Sequence, residues 1–408
     1  MPINATDFGV SVSNPDNTAA INAIIAGAPT TGQKVNFPDG ILKVSGEIPV
    51  IKPMKLVGEG RRGTTFQTSS PTATVFKTLI GDVEMSDFGI DVAPGVVRIP
   101  GARHIEIASG AGVDSLQMEN LALLNCATGV LGAAGFFWMS KMLVEILGGG
   151  VGCGVRTTNS SGIFVDRTFF FGIDLPFPGN PGWAGGQPFA GLDLSDCGDA
   201  HVTDVELLCT GVGVKLSPTT GQICTSHFYT NVLADHCMTG WELMPTGGGS
   251  VNTMKMVNTW GCSSVHNGLK GRTSGPGSTI FDIDVTNGTF SGNGNSMSGA
   301  TPCRTAENGV QWDGNPNSIT KVKFIGGAIS DHPLSADMST YTGVDGMTIL
   351  GTSFGNRSFP SRVGLSNAGA ASRVRATDCQ FEAASYQQIQ NISTGVGNYM
   401  PASANNMM

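Results

Sequence analysis

Gly129-Val130-Leu131-Gly132, Gly154-Val155-Arg156-Thr157, Gly213-Val214-Lys215-Leu216 and Gly240-Trp241-Glu242-Leu243 repeat one phrase: glycine, a large apolar residue, any residue, then usually another apolar one. The same phrase is read in Gly89-Ile90-Asp91-Val92, Gly172-Ile173-Asp174-Leu175, Gly191-Leu192-Asp193-Leu194, Gly268-Leu269-Lys270-Gly271 and Gly309-Val310-Gln311-Trp312. Its run-up repeats as well, Cys126-Ala127-Thr128 being echoed by Cys237-Met238-Thr239. From Gly129 onward the steps are 25, 18, 19, 22, 27, 28 and 41 residues. A recurrence near that length marks a repeat architecture in which each unit is one coil and long steps are loops let out from it.

The phrase alternates apolar and other residues, a period of two, and so reads as a strand. Further strand-like runs precede several copies, at His201–Leu207, Phe228–Val232 and Met254–Val257. No coil carries the three-four apolar spacing that a helical solenoid needs. Two or three short strands per coil, with glycine and asparagine at the corners, describe an all-β fold, a single-stranded parallel β-helix. Glycine is expected at a corner where φ must be positive. Gly129, Gly154, Gly213, Gly240 and Gly268 should share one corner, with Val130, Val155, Val214, Trp241 and Leu269 stacked inside.

The chain has 408 residues, of which 13% are charged and 58 are glycine, with a formal net charge of −8. Soluble domains usually carry about 25% charged residues, so the surface is expected to be polar but largely uncharged. A net negative chain is a poor partner for nucleic acid or an anionic membrane. Nine cysteines show no C-x-x-C pair and no zinc spacing, and most lie in apolar strand contexts, which reads as core filling. The N-terminus has neither a basic start nor an apolar run, so no secretory signal is expected, and no stretch approaches a membrane span.

The first fifty residues differ in texture. Asp7-Phe8-Gly9-Val10 reads as a short strand, and Asn14-Pro15-Asp16-Asn17-Thr18 carries helix-start chemistry. Ala20, Ile21, Ile24, Ile25 and Ala28 then make one apolar face, ended by Pro29 and Gly32. Val35 to Val44 holds two strands about a Pro-Asp-Gly turn. A short amphipathic helix laid on the first coil would cover the open end of a solenoid. The expected organisation is an N-terminal capping module over 1–50, a β-helix over 51–394 and a tail over 395–408. Pro176–Phe189 and Ser291–Asn308 read as loops, being rich in Pro and Gly, and in Gly, Ser and Asn.

Asp7-Phe8-Gly9, Asn17-Thr18-Ala19-Ala20-Ile21-Asn22 and Gly32 through Val35-Asn36-Phe37-Pro38-Asp39-Gly40 resemble the opening module of the pectate-lyase-like superfamily. They are most similar to its branch of phage tailspikes and related glycan-binding proteins. Ile41 and Leu42 stand where that family often has tyrosine. The resemblance implies a right-handed β-helix with a capping helix, a homotrimer, a bacterial surface polysaccharide as partner, and a place in a virion beside other virion proteins.

Coils of a β-helix stack about 4.8 Å apart, so equivalent positions form ladders. The third phrase position should face outward, giving Arg156, Asp174, Asp193, Lys215, Glu242, Lys270 and Gln311. If Asp174 and Asp193 lie on adjacent coils, their carboxylates stand roughly 5 Å apart, the retaining-glycosidase separation; two coils apart approaches the inverting one. Asp174, Asp193 and Glu242 are therefore the candidate catalytic carboxylates. The alternating signs read equally as a salt-bridged, solvated ladder. Trp183, on the loop between the two aspartates, and Trp260 are candidate sugar platforms, although a loop tryptophan also packs its own loop. Trp241 and Trp312 occupy positions expected in the core. Asp235-His236 resembles an Asp-His motif of pectate lyases but lacks the accompanying tryptophan, and reads as a corner. Asp166, Asp204 and Asn231 read as a structural turn ladder. The six histidines show no metal spacing, and no metal or cofactor is expected.

Three functions are compatible with this pattern. The leading expectation is a tailspike-like protein that binds and cleaves a bacterial surface polysaccharide by carboxylate acid-base chemistry. A non-catalytic virion spike that adheres to glycan is the alternative, and a cellular polysaccharide lyase is the third.

Overall fold

A computed structural model describes residues 1–29, 32–99, 101–108, 115–132, 135–147, 152–172, 190–264, 266–293, 308–330, 332, 336–341, 343–355, 363–367, 372–382 and 387–391. The expected loop over 176–189, most of that over 291–308, and the tail from residue 395 lie outside these. The chain divides into two compact units, residues 1–174 with 189–193, and residues 175–188 with 194–408. Each is built of parallel β-helix coils.

The first unit opens on the strand Ile3–Asn4, followed by a 3-10 turn over Ala5–Phe8. The expected strand at Asp7–Val10 is thus replaced. Gly9, at φ +86°, closes the turn by donating its N–H to Thr6 O and Ala5 O, which curls the backbone away from an extended path. The helix spans Thr18–Gly27 and buries Ile21, Ile24 and Ile25. Its start is held by Asp16, whose carboxylate accepts the Thr18 N–H at 2.9 Å and the Ser45 hydroxyl at 2.6 Å. Burial acts to raise the Asp16 carboxyl, but these hydrogen bonds outweigh it and bring the group down to about 2. Behind the helix, Phe66 packs edge-on against Phe37, Phe76 and Phe88 with ring centroids 4.9–5.1 Å apart, sealing the first coils.

Three ladders of strands run through this unit. One pairs Gln33–Asn36, Met54–Val57, Val83–Ser86, Leu116–Glu119, Phe136–Ser140 and Ser160–Asp166 in turn. A second joins Gly40–Val44, Thr64–Thr68, Phe88–Val92, Ala122–Cys126, Leu143–Ile146 and Phe169–Gly172. The third, the phrase ladder, joins Ile48–Val50, Phe76–Thr78, Arg103–Ile107, Thr128–Gly132, Cys153–Thr157 and Ala190–Asp193. Val130 pairs with Val155 and Val155 with Leu192, and all three are fully buried. Each such side chain removed from water stabilises the coil by about 1.5–3 kcal/mol.

Two copies of the phrase belong elsewhere. Gly89–Val92 and Gly172 fall on the second ladder, where Ile90 pairs with Phe66 and Gly172 with Ile146. The steps of 18 and 19 residues on either side of Gly172 are therefore one coil, with Cys153–Thr157 pairing directly with Ala190–Asp193. An apolar alternation behind glycine is shared by two faces, and periodicity alone does not separate them.

In the second unit the phrase ladder continues through Val212–Leu216, Thr239–Leu243, Leu269–Arg272, Val310–Asp313, Ala336–Thr340, Val363–Asn367 and Gln387–Asn391. Val214, Trp241, Leu269 and Val310 stack in register with no exposed surface. The other two faces merge in the long bent strands Cys197–Leu208 and Ile223–Asp235. They separate again at Ser250–Val257 and Trp260–Cys262 and in the coils after. Trp241 and Trp312 are both buried, as their positions require.

The corner glycines are present for a different reason than positive φ. None of Gly129, Gly154, Gly213, Gly240 and Gly268 is left-handed. A Cβ on Gly129 would instead lie 2.5 Å from Gly154 O, and one on Gly213 2.5 Å from Gly240 O. Stacked backbones approach too closely there for any side chain. The left-handed corners are taken by polar residues: Asp87, Asn120, Asp204, Asn231, His236, Asn258 and Asn287 have φ of 51–61°. In the second unit Asn258 Nδ2 donates to Asn231 Oδ1 at 3.2 Å, and Asn231 Nδ2 to Asp204 Oδ1 at 2.8 Å, so this turn ladder is structural. Asp166 sits one residue before the left-handed Arg167 and accepts the Ser140 hydroxyl at 3.2 Å.

Of the eight described cysteines, all free, Cys126, Cys153, Cys197, Cys224, Cys237 and Cys379 are buried. Burial pushes the Cys237 thiol up to about 12, consistent with core filling. Two buried histidines make the fold sensitive to acid. Burial, reinforced by the charge of Arg98, lowers His104 to about 3 against the raising effect of its bond to Leu124 O. Burial likewise lowers His227 to about 4, helped by His201 and opposed by the Cys197 carbonyl and Asp199. An unfolded chain binds these protons near 6.5. The stability conferred by the neutral rings is thus complete above that pH and is lost as pH falls toward 4. For His227 alone the linkage is worth about 3 kcal/mol. Urea midpoints should stay flat from pH 8 to 7 and fall steeply from 6.5 to 4. A midpoint unchanged at pH 4.5 would remove this account.

Candidate functional site

The outward column of the phrase ladder in the first unit runs Lys77, Glu106, Leu131, Arg156, Asp193. Lys77 Nζ lies 3.7 Å from Glu106, and Arg103 pairs with the same carboxylate. Arg156 Nε lies 3.3 Å from Asp193 Oδ2, and Asp193 is only 8% exposed. In the second unit the column runs Lys215, Glu242, Lys270, Gln311, Ser339. Glu242 stands between two lysines and accepts a long hydrogen bond of 3.4 Å from the Ser217 hydroxyl. Within each unit, among the described residues, no two carboxylates are register neighbours in this column. The arrangement neutralises each carboxylate rather than setting one against another, and like-charge coupling, one means of making a general acid, is missing here.

Asp174 and Trp183 lie outside the described residues. Since Gly172 ends a strand of the second ladder, the outward position expected for Asp174 beside Asp193 is filled by Arg156. Asp193 belongs to the first unit, and Glu242 and Trp260 to the second.

Trp260 is 47% exposed, on the short strand Trp260–Cys262. In its column Leu233 precedes it by one coil and Thr289 follows it. Its carbonyl accepts the indole N–H of the buried Trp241 at 3.0 Å, which anchors the strand to the core. The adjoining outward column runs Leu208, Asp235, Cys262. Asp235 Oδ1 accepts the His236 main-chain N–H at 2.9 Å, and Oδ2 lies 2.8 Å from His236 Nδ1. Asp235 and His236 are therefore an oriented pair at a left-handed corner, one coil from the exposed Trp260. Glu206, in register with Leu233, stands two coils from Trp260 in the same column, with Leu233 between them; it makes no ion pair among the described residues.

Sequence reading missed the outward aromatic pairs, among them Trp138 with Phe164 and His201 with Phe228. Trp138 and Phe164 are register neighbours, stacked with centroids 5.3 Å apart and planes 8° from parallel. Strict alternation in Phe136-Phe137-Trp138-Met139-Ser140 and Gly162-Ile163-Phe164-Val165-Asp166 would have placed both outside. Their facing surfaces cover each other, so the pair cements coils. Trp260 stacks on no ring among the described residues. Nor do those residues gather three or more His, Cys, Asp or Glu in a metal-binding group. Among them no helix is long and apolar enough to cross a membrane.

Residues 2–85 match the family model for rhamnogalacturonase A/epimerase, pectate lyase-like. No curated protein sequence matches the chain. Among solved structures it is similar to tailspike protein 3 of bacteriophage CBA120, with 12% identity and a TM-score of 0.60 over 97% of this chain. It spans 60% of that tailspike's length. The A-module of the mannuronan C-5 epimerase AlgE4 of Azotobacter vinelandii aligns over 98% of this chain and 99% of its own, at 13% identity and a TM-score of 0.53. The AlgE6 A-module of the same organism aligns over 94% of this chain and all of its own, at 12% identity and a TM-score of 0.55. At such identities the likeness is one of fold. The opening segment thus matches a pectate-lyase-like model, and the coils that follow share the parallel β-helix fold of that tailspike and those epimerase modules.

Proposed function

We propose that this chain binds a bacterial surface polysaccharide and cleaves it by acid-base chemistry, in the manner of a phage tailspike borne on a virion. The observation that carries this reading is Trp260, an exposed aromatic ring tied to the core, with the Asp235–His236 pair in the adjoining outward column and Glu206 beyond Leu233 in its own. Such a ring offers its face to the apolar side of a pyranose while the polar groups around it fix orientation. The fold shared with a tailspike and with mannuronan epimerases supports the same substrate class.

A homotrimer is part of this reading. Val257, Ile325 and Leu350 stand in one outward column of the second unit and are 36–41% exposed. Further copies of the chain would cover such a stripe. Light scattering at micromolar concentration should give three times the chain mass; a monomer would refute the assembly.

Incubation with alginate, polygalacturonate, rhamnogalacturonan and purified bacterial capsule and lipopolysaccharide, followed by mass spectrometry, should release oligosaccharides from at least one. Trp260→Ala should weaken binding of that glycan about tenfold without lowering the melting temperature. A second reading, a purely adhesive spike, is favoured by the charge-paired phrase ladder, in which Asp193 and Glu242 hold neighbouring coils. Glycan retention without product would select it. If Asp193→Asn or Glu242→Gln abolished turnover while leaving melting unchanged, the ladder would be catalytic after all.

A further inference from the structure

The Asp235–His236 pair has a chemistry that a turn alone does not require. Asp235 uses one carboxylate oxygen on the His236 main-chain N–H and the other on Nδ1, at 2.9 and 2.8 Å. The ring is thereby fixed, and Nε2 is the nitrogen left for another partner. The side chain of His236 is 34% exposed and that of Asp235 23%, so the pair is reached from solvent without any movement of the coil. Cys262, above Asp235 in register, and the left-handed Cys209 and Ser263 at the neighbouring corners surround it with small side chains.

Two further groups stand in the adjoining outward column, one coil to either side of Leu233. Trp260 stands one coil further along, two positions from Cys262. Glu206 lies one coil earlier and pairs with Leu233, two positions from Asp235. Strand and coil spacings put the Glu206 and Asp235 positions about 8 Å apart.

We propose that Glu206, Asp235, His236 and Trp260 form a glycan-hydrolysing subsite on the short-strand face of the second unit. This rests on the polysaccharide reading above and moves the acid-base work away from the phrase ladder. Trp260 stacks the ring beside the scissile bond. His236 Nε2 takes a proton from water as the water oxygen bonds to the anomeric carbon. The bond from that carbon to the leaving oxygen breaks with its electron pair, and the leaving oxygen takes the proton of Glu206. Water is consumed, one glycosidic bond is broken, and solvent returns both residues to their starting states. No covalent sugar–enzyme bond forms, so the anomeric configuration inverts. Asp235 is a positioning residue that fixes the imidazole tautomer.

The test uses the full chain and whichever glycan of the panel it degrades. His236→Asn suits the left-handed backbone at φ +55° and should fold as the parent does. It and Glu206→Gln should each lower kcat at least a hundredfold with KM little changed, the scale of general acid-base catalysis. Trp260→Ala should raise KM instead. Asp235→Asn should lower kcat with KM unchanged, and Asp235→Glu should recover part of it, which a merely structural corner would not show. NMR of the first-formed product should show inversion. If the parent degrades a glycan but His236→Asn and Glu206→Gln keep its turnover, or if configuration is retained, the subsite is overturned and the polysaccharide reading stands. If the parent retains a glycan without degrading it, the subsite is overturned in favour of adhesion. If it neither binds nor degrades any member, both fall.

Discussion

Val214→Asp should leave no soluble protein. Val214 has no exposed surface and stacks in register on Trp241, within a column that continues to Leu269 and Val310. A carboxylate there has no cation and no donor, because the inward column is apolar and the main-chain groups beside it are used in ladder pairing. Burying an unpaired charge costs several kcal/mol even after the protein relaxes, and protonating it instead still leaves a polar group without a partner. A typical domain has only about 5–15 kcal/mol of stability in all. The loss spreads, since a coil's only packing partners are its neighbours. Val214→Ala removes two methyls without adding charge and should cost about 1–3 kcal/mol, leaving soluble protein. Lys215→Gln, one residue on and outward, should be close to neutral. The soluble fraction of the three variants in a cell lysate decides the matter: soluble Val214→Asp at the parent's yield would mean that this column is not core.

The coil was legible because a β-helix writes its interior as a short alternation repeated near a fixed interval. Gly129, Gly154, Gly213, Gly240 and Gly268, with the apolar residue after each, fall where that alternation puts them. The pattern could not distinguish faces of one coil. Gly89 and Gly172 satisfy the same phrase on another ladder, so phrase position alone does not put Asp174 in the column of Asp193, whose register neighbour is Arg156. The site was less legible still. Carboxylates became candidates through phrase position, whereas Glu206 and Asp235 precede the phrase on a strand whose length varies from coil to coil. Register across coils, set by corner residues such as Asp204 and Asn231, puts Glu206 in the column of Trp260 and Asp235 in the one adjoining it. No local pattern encodes that register.

The glycines themselves supply the sharper test of how the coils are held. Were they required for positive φ, alanine would strain the backbone; none of the five has such a φ, so alanine's dihedral preferences are satisfied. Gly240→Ala should nevertheless be strongly destabilising. Its Cβ would stand 2.6 Å from Gly268 O and 3.1 Å from Gly261 Cα. Both are main-chain atoms, so no side-chain rotation relieves the overlap. To make room the coils must part, yet Gly240 N–H donates to Asn267 O at 3.0 Å and Trp241 N–H to Gly268 O at 2.9 Å. Parting them loosens these bonds and unseats Trp241 from its column. Overpacking of this kind costs about 3 kcal/mol. It must also outweigh the stabilisation of up to about 1 kcal/mol that glycine-to-alanine gives through the unfolded chain. Gly27→Ala is the matched control: it ends a helix, meets nothing within 4 Å and should be neutral or slightly stabilising. Thermal melts should put Gly240→Ala well below the parent and Gly27→Ala at or above it. If Gly240→Ala melts with the parent, neighbouring coils have slack there, and close backbone approach does not explain why the phrase begins with glycine.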